Sequence, residues 1–157
     1  MDSNESRSLQ LYNTHTQEKL DVVYYENGNY LDYALDEINS IMADHRTHEK
    51  IKMNKDLIDL LYDIKGKLSF HDNKDSFINI ISAYRSPVSN SKLRRRSRRV
   101  AKNSFHMKGE AIDINISGVK LSSLRREAKK IQKGGVGYYP RSNFVHIDIG
   151  DVRSWRG

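Results

Sequence analysis

The part of the chain that most constrains its fold is SFHMKGEAIDINI, residues 104–116. In its second half apolar and polar side chains alternate, which is the period of a strand with one buried face. Side chains two apart on a strand point to the same side. We therefore expect Asp113 and Asn115 to share one face, and the isoleucines between them to fill a core. Gly109 permits a sharp backbone turn before this strand, which would bring His106 over it.

A second strand-like segment is FVHID, residues 144–148, and it carries His146 and Asp148 on one face. If this strand lies beside the first, His146 and Asp113 meet, and His106 closes over them from the preceding loop. Two imidazoles and a carboxylate, with a fourth position open, are the ligands of a catalytic zinc site. We predict that His106, Asp113 and His146 bind zinc. The alternative is a buried histidine that is satisfied by a carboxylate.

Further segments accompany these two. They are NTHT (residues 13–16), YRSP (84–87), VAKNS (100–104) and GGVGYYP (134–140). Together with the two strand segments they resemble the YcbK-type (MepK-like) murein endopeptidases, which are relatives of the zinc D-Ala-D-Ala peptidases of the hedgehog/lysostaphin-type superfold. The resemblance extends from about residue 8 to residue 155, nearly the whole chain. It implies a zinc metallopeptidase that hydrolyses amide bonds in the peptide cross-links of peptidoglycan.

The resemblance also implies a catalytic role for Arg85, which would stabilise the oxyanion during amide hydrolysis. A structural salt bridge is the alternative for this side chain. Several relatives carry an acid three residues before the last histidine ligand, where this chain has Asn143, which cannot accept a proton. Asp148 shares a strand face with His146 and is the substitute. It is predicted to act either as the general base or as a carboxylate that orients an imidazole.

Three tyrosines are predicted to line a substrate cleft and bind the peptide, namely Tyr84, Tyr138 and Tyr139, with Trp155 near them. Simple packing is the alternative for each of these aromatic rings. Ser104 is predicted to hydrogen-bond a zinc ligand. The other four histidines lie in predicted turns and polar loops and are interpreted as ordinary polar residues: His15, His45, His48 and His71.

The remaining pattern predicts helices followed by strands. The predicted elements are a hairpin at residues 8–12 and 20–25, helices at about 30–44, from the N-cap Asn54 to 64 and at 122–132, strands at 77–83, 110–116, 136–139 and 143–149, and a long loop at 85–108 with a helical turn near 91–101. The lack of regular βαβ alternation favours the α+β class, with an antiparallel sheet packed against helices. The resemblance implies the same fold, with the zinc site on the sheet.

Length and charge bound the function further. The 157 residues favour one domain, residues 8–157 after a polar tail at 1–7. The absence of cysteine excludes disulfides and thiolate metal sites, and no apolar run approaches the ~20 residues of a membrane helix. Residues 92–102 hold seven cations and no acid, and the formal net charge is +7. Such a run is a solvated face, a nucleic-acid contact or, as we favour beside this site, an attractor of an anionic polymer or of substrate carboxylates.

Three rival functions remain open from the sequence. They are a D,D-carboxypeptidase or dipeptidase acting on free D-Ala ends, a non-catalytic zinc-binding module, and nucleic-acid binding. The module is favoured by Asn143, whereas a specific nucleic acid is not expected because the basic run has no aromatic residue for base stacking. A cell-wall substrate implies a periplasmic or cell-envelope location. Residues 1–7 hold no apolar export signal, so we expect that a signal was removed; a cytoplasmic protein is the alternative.

Overall fold

Residues 5–68 and 76–157 are described by the structure, a computed structural model. The elements in chain order are strands β1 (Ser6–Asn13), β2 (Lys19–Glu26) and β3 (Asn29–Tyr30), helices α1 (Asp32–Ile41) and α2 (Lys55–Leu68), strand β4 (Ile78–Ser82), helix α3 (Pro87–Arg96), strand β5 (Ala111–Ile116), helix α4 (Leu121–Ile131), and strands β6 (Gly135–Tyr139), β7 (Phe144–Asp148) and β8 (Arg153–Arg156). A short 3₁₀ helix, Phe105–Lys108, precedes β5. The first strand begins inside the predicted tail, and His71 lies outside the described residues.

Eight strands within these described ranges form one sheet, in the order β3-β2-β1-β4-β5-β7-β6-β8. Most neighbouring strands are antiparallel, but β1 is parallel to β4 and β6 is parallel to β8. The prediction of an antiparallel sheet was wrong for these two pairs, and the sheet is mixed. Neither pair joins consecutive strands: β2, β3, α1 and α2 lie between β1 and β4, and β7 lies between β6 and β8. The alternation within single strands contains no information about such directions.

The predicted helices are confirmed, with ends shifted by a few residues. Helix α1 packs against β1 and β2, α2 packs against β1 and α4, and α4 packs against β5, β6 and β7. The predicted N-cap of α2 is also confirmed, because Asn54 Oδ1 accepts a hydrogen bond from the Asp56 N–H at 2.8 Å. Among the described helices, none is long and apolar enough to cross a membrane.

The long loop predicted at 85–108, with a helical turn near 91–101, contains the whole of helix α3. The helical turn is thus a full helix that begins earlier than predicted, and the extent of the loop was predicted wrongly. Ser86 is its N-cap and accepts a hydrogen bond from the Ser89 N–H at 3.2 Å. Pro87 occupies the first helical position, where a missing N–H costs no hydrogen bond. The buried carboxylate of Asp44 accepts from the Ser86 N–H at 2.8 Å and ties the start of α3 to the loop after α1. The N-cap Ser86 and the following Pro87 are both start signals that the sequence contains.

The two interior strands β5 and β7 present one face to the core and the other to the site. Ile112 and Ile114 on β5, and Val145 and Ile147 on β7, are fully or almost fully buried. The residues between them on each strand point to the opposite face. The alternation predicted for both strands is therefore confirmed, and it positions the polar residues that form the site.

Candidate metal centre

The three side chains predicted to bind zinc meet on one face of the sheet. Asp113 on β5 and His146 on β7 are directly paired residues of antiparallel strands, and His106 approaches from the 3₁₀ helix. One potential ligand atom from each of the three lies within 4.8 Å of the others. Asp113 Oδ1 is 2.9 Å from His146 Nδ1 and 3.2 Å from His106 Nε2. The carboxylate therefore lies between two imidazole nitrogens.

The backbone around His106 fixes the direction of its ring. Ser104 accepts a hydrogen bond from the His106 N–H at 3.2 Å, so it contacts the backbone of this histidine rather than its imidazole. The ring Nδ1–H donates to the Ala83 carbonyl at 2.8 Å, and Nε2, at the other side of the ring, faces Asp113. Gly109 ends the 3₁₀ helix at a φ of 69°, a left-handed conformation that favours glycine. The sharp turn predicted at this glycine is confirmed.

His146 has a carboxylate at each ring nitrogen. Its Nδ1 faces Asp113, and its Nε2 is 2.7 Å from Asp148 Oδ2. Burial lowers the pKa of His146, but the hydrogen bonds with Asp113 and Asp148 outweigh it and raise this pKa to about 9. Burial raises the pKa of Asp113. The charges and hydrogen bonds of the two histidines outweigh burial and hold this pKa well below its usual range. A metal ion and a proton thus compete for His146 Nδ1.

Asp148 is held by more hydrogen bonds than any other carboxylate near the site. It has no exposed surface, and besides the imidazole it accepts from the Gly135 and Gly150 N–H groups at 3.0 and 2.9 Å. Both terminal nitrogens of Arg153 donate to it at 2.9 Å. Burial raises the pKa of Asp148, but these donors hold it below its usual range. Of the two predicted roles, this geometry favours orientation of His146, because each oxygen already accepts several bonds.

The donor set fits a zinc ion. Two imidazole nitrogens and a carboxylate oxygen are ligands that zinc accepts in catalytic sites. His106 and Asp113 are only 3% and 6% exposed, so a divalent cation there would be shielded from water on the protein side. Each imidazole also has a hydrogen-bond acceptor at its outer nitrogen, which is how proteins fix metal-binding histidines.

Arg85 follows β4 and lines the same cleft as the three potential ligands. Its guanidinium is buried, and Nη1 donates to Asn90 Oδ1 at 3.1 Å. No carboxylate in the described ranges forms a salt bridge with it, so the salt-bridge interpretation lacks a partner. Its Nε has no hydrogen-bond acceptor among those residues. Burial lowers the pKa of Arg85, and the charge of Asp113 opposes that effect.

Comparison with known proteins identifies the family to which the chain belongs. The family model described as "Peptidoglycan L,D-endopeptidase MepK" matches residues 1–155. The chain belongs to the MepK family. The MepK family member of Escherichia coli K12, "Peptidoglycan L,D-endopeptidase MepK", is 42% identical over 149 residues, which cover 95% of this chain and 80% of that protein. The "Probable peptidoglycan L,D-endopeptidase MepK" of Haemophilus influenzae is 40% identical over 151 residues, covering 96% and 80%. No solved structure matches significantly.

The cleft of this MepK-family chain has a volume of about 290 Å³ and an aromatic wall. Tyr139, Phe144 and Trp155 line it together with the histidines. The Trp155 indole N–H donates to Tyr139 Oη at 2.8 Å, and the Tyr139 ring stacks on Phe144 with centroids 4.6 Å apart. A larger groove of about 940 Å³ lies between α2 and α4, and no histidine is among the described residues that line it.

Two of the three predicted substrate-binding tyrosines lie outside this cleft. Tyr84 is buried in the core at 7% exposure. Tyr138 is half-buried, with the guanidinium groups of Arg125 and Arg156 over its ring at 4.7 and 5.4 Å. Tyr138 and Tyr139 are adjacent on β6 and therefore point to opposite faces, so only Tyr139 reaches the cleft.

Asn143, where an acid was expected, lies in the turn between β6 and β7. Its φ is 59°, a left-handed conformation that asparagine tolerates better than most residues. Its carbonyl accepts a hydrogen bond from Asn115 Nδ2 at 2.8 Å. Within the described lining of the cleft, the carboxylates are Asp113 and Asp148, and the contacts above engage both.

Sequence reasoning missed two side chains that support the site, Asn90 and Arg153. Asn90 is buried in α3 and binds Arg85, but a single asparagine in a polar stretch has no periodic signal. Arg153 lies in the C-terminal segment DVRSW (residues 151–155), of which only Trp155 was given a predicted role. That segment was the available signal for Arg153.

Proposed function

We propose that this chain is a zinc-dependent endopeptidase that hydrolyses amide bonds in the peptide cross-links of peptidoglycan. The observation that carries the proposal is the convergence of His106, Asp113 and His146 in a cleft that also holds Arg85. Membership of the MepK family supports it, since curated relatives are named peptidoglycan L,D-endopeptidases. We therefore propose that the bond cleaved joins an L-centre to a D-centre.

In this proposal His106 Nε2, His146 Nδ1 and one oxygen of Asp113 hold the zinc ion. When bound, zinc supplies an activated water and a Lewis acid for the scissile carbonyl. Three protein ligands would leave the fourth position for water or the substrate amide. Asp148, fixed by Arg153, holds the His146 ring so that Nε2 carries the hydrogen and Nδ1 is free to bind.

Arg85 is proposed to stabilise the negative charge that develops on the carbonyl oxygen. Its guanidinium is buried, has an unused Nε donor and has no paired carboxylate in the described chain. A preorganised cation in a site of low water content stabilises such charge more than the same group in solution. Asn90 acts on this step through Arg85, because it fixes the position of the guanidinium.

The aromatic wall is proposed to bind the stem peptide. Of the three tyrosines predicted from the sequence, we retain Tyr139 and add Trp155, because both line the cleft. Their hydrogen bond keeps the two rings in place, and flat rings offer contact area to a peptide backbone at low entropic cost.

Action on peptidoglycan would place the protein in the cell envelope. We also propose that residues 8–157 form a single catalytic domain. One continuous core of buried side chains supports this, because it joins β1 and β2 to β5, β7 and α4.

Purified protein on cross-linked muropeptide dimers, with products read by mass spectrometry, tests the function. Conversion of L,D-cross-linked dimers to monomers should stop with a chelator and return when zinc is added. Release of D-Ala from intact ends would instead indicate a carboxypeptidase. Intact dimers despite bound zinc would indicate a non-catalytic zinc module.

A further inference from the structure

The net positive charge of the chain lies in one segment beside the cleft. The basic segment, residues 92–102, contains seven of the 27 lysines and arginines and no acid. The remaining 20 basic residues equal the 20 acidic residues in number, so the formal net charge of +7 comes from this segment. The cations are Lys92, Arg94, Arg95, Arg96, Arg98, Arg99 and Lys102.

These seven side chains are not engaged by other side chains of the described structure. All seven residues are exposed. None of them forms a salt bridge within the described ranges, although acidic residues elsewhere pair with other cations. Charges of one sign this close together repel each other and cost stability. Their free donors are thus available to an anionic partner.

The segment is fixed to the wall of the proposed active site. Asn90 Nδ2 donates to the Ala101 carbonyl at 3.0 Å, while Oδ1 of the same side chain accepts from Arg85. Arg99, Val100 and Ala101 line the cleft with the metal-binding residues. The basic segment therefore begins in α3, continues along the exposed surface and ends beside the cleft.

We propose that the basic segment is a docking surface for the carboxylates of the peptidoglycan polymer, which concentrates cross-links at the cleft. The inference rests on the proposed function. Stem peptides repeat free carboxylates along each glycan strand, so a row of cations binds several at once. Nucleic acid fits less well, because the segment has no aromatic side chain for base stacking. An anionic lipid surface fits less well, because the segment offers only Leu93 and Val100 as larger apolar side chains.

The test compares three forms of the full chain for retention on insoluble sacculi. The test variant is R94Q/R95Q/R96Q/R98Q, whose sites are exposed and lie outside the cleft lining. The matched control is R126Q/K129Q/K130Q/K133Q on and after α4, which removes the same charge from exposed positions. The lost surface ion pairs of the control contribute little stability. Equal thermal unfolding midpoints establish that all three forms are folded.

At about 0.05 M salt we expect the parent and the control to be retained, and the test variant to bind about tenfold or more weakly. At about 0.5 M salt the retention of the parent should fall toward that of the variant, because screening shortens the range of the charges. Sacculi whose carboxylates have been converted to neutral amides should no longer retain the parent protein at low salt. Equal retention of the parent and the test variant would overturn the inference. So would retention of the parent that does not change with salt concentration or with amidation of the sacculi.

Binding to DNA or to anionic phospholipid vesicles that is tighter than binding to sacculi at the same salt would also overturn it. Retention on sacculi can be judged independently of the proposed endopeptidase function. Cleavage of soluble dimers by the parent tests the chemistry without the polymer. If dimers are cleaved and the sacculi result is negative, the docking surface fails and the endopeptidase stands. If dimers stay intact, retention on sacculi still decides the docking surface.

Discussion

His146 illustrates how a single residue in this site depends on its neighbours. One ring nitrogen faces Asp113 at 2.9 Å and the other faces Asp148 at 2.7 Å. Zinc binding requires that Nδ1 lose its hydrogen while Nε2 keeps one. Asp148 keeps a hydrogen on Nε2 because a carboxylate can only accept, so the hydrogen that zinc would displace is the one that Nδ1 shares with Asp113. The same contact makes Asp148 a positioning residue for His146.

The change Asp148→Asn tests that role. An amide NH₂ at the Oδ2 position would donate to Nε2 and favour the tautomer with hydrogen on Nδ1. That tautomer opposes zinc binding, because zinc needs the lone pair of Nδ1. Zinc affinity, measured by competition with a chromophoric chelator, should fall by about 10–100-fold. The control Asp151→Asn, at an exposed neighbour, should bind zinc like the parent. Normal zinc affinity with lost turnover would instead identify Asp148 as the general base.

Asn90 is the second residue whose side chain acts through another. Asn90→Leu removes the acceptor for Arg85 Nη1, whereas Asn90→Asp keeps an oxygen there and loses the donor to Ala101. We expect kcat on dimers to fall by up to about a hundredfold in the leucine variant, because a misplaced cation stabilises charge poorly. The aspartate variant should retain more of kcat, and zinc affinity should be unchanged in both. Equal kcat in the leucine variant and the parent would contradict the role.

At the scale of elements, the turn that leads into β5 positions His106. Gly109 has a φ of 69°, and an added Cβ would lie 3.1 Å from the Lys52 carbonyl and 3.3 Å from Met53 Cα. Gly109→Ala should therefore lower the free energy of unfolding by about 1–2 kcal/mol or more, measured by urea denaturation. The matched control is Gly66→Ala inside α2, where the new methyl meets no atom within 4 Å.

The Gly66 control should be neutral or should raise stability by up to about 1 kcal/mol, since alanine favours helix over glycine. Gly109→Ala should also weaken zinc binding, because the displaced turn carries His106. Similar unfolding free energies for the two variants would show that the left-handed turn is not required.

The junction between α1 and α3 depends on the ionised form of Asp44. Burial raises the pKa of Asp44, but hydrogen bonds led by the Ser86 N–H lower it to about 2. The folded pKa thus lies below the unfolded value of about 3.9. Ionised Asp44 therefore stabilises the fold above about pH 4, and this contribution, about 2 kcal/mol, is lost as the pH falls through about 2.

Urea unfolding of the metal-free parent and of Asp44→Asn at neutral pH and near pH 2 measures this contribution. The variant should be less stable at neutral pH, and the difference should shrink by about 2 kcal/mol in acid. Taking the difference cancels other carboxylates that titrate in both proteins. A difference that is the same at both pH values would contradict the depressed pKa.

At the scale of the whole molecule, the sequence predicted the potential ligands better than the sheet. Period-two alternation assigns Asp113 and His146 to the polar face of their strands, and their meeting then requires only that the strands pair. The direction of β4 relative to β1 depends on a connection tens of residues long, which no local pattern encodes. Strand β8, which is parallel to β6, was not predicted at all. Helix α3 was predicted only as a helical turn near 91–101, because its arginine-rich body has no apolar period. Its start was missed although Ser86 and Pro87 are typical N-terminal signals.

The cleft wall was predicted only in part for a related reason. A tyrosine that packs in the core and one that lines a cleft have the same sequence signal. Strand parity separates Tyr138 from Tyr139, but which of the two faces the site depends on the pairing of β6 with β7. The burial of Tyr84 and Asn90 depends on tertiary packing that no local pattern records.

The proposed zinc site is formed by three side chains, from two strands and one turn. The most direct test is the zinc content per chain after metal removal, reloading and dialysis, in the parent and in Asp113→Asn, with Asp151→Asn as the control. We expect one zinc per chain in the parent and the control, and none in Asp113→Asn. Zinc retained in full by Asp113→Asn, or absent from the parent, would contradict it.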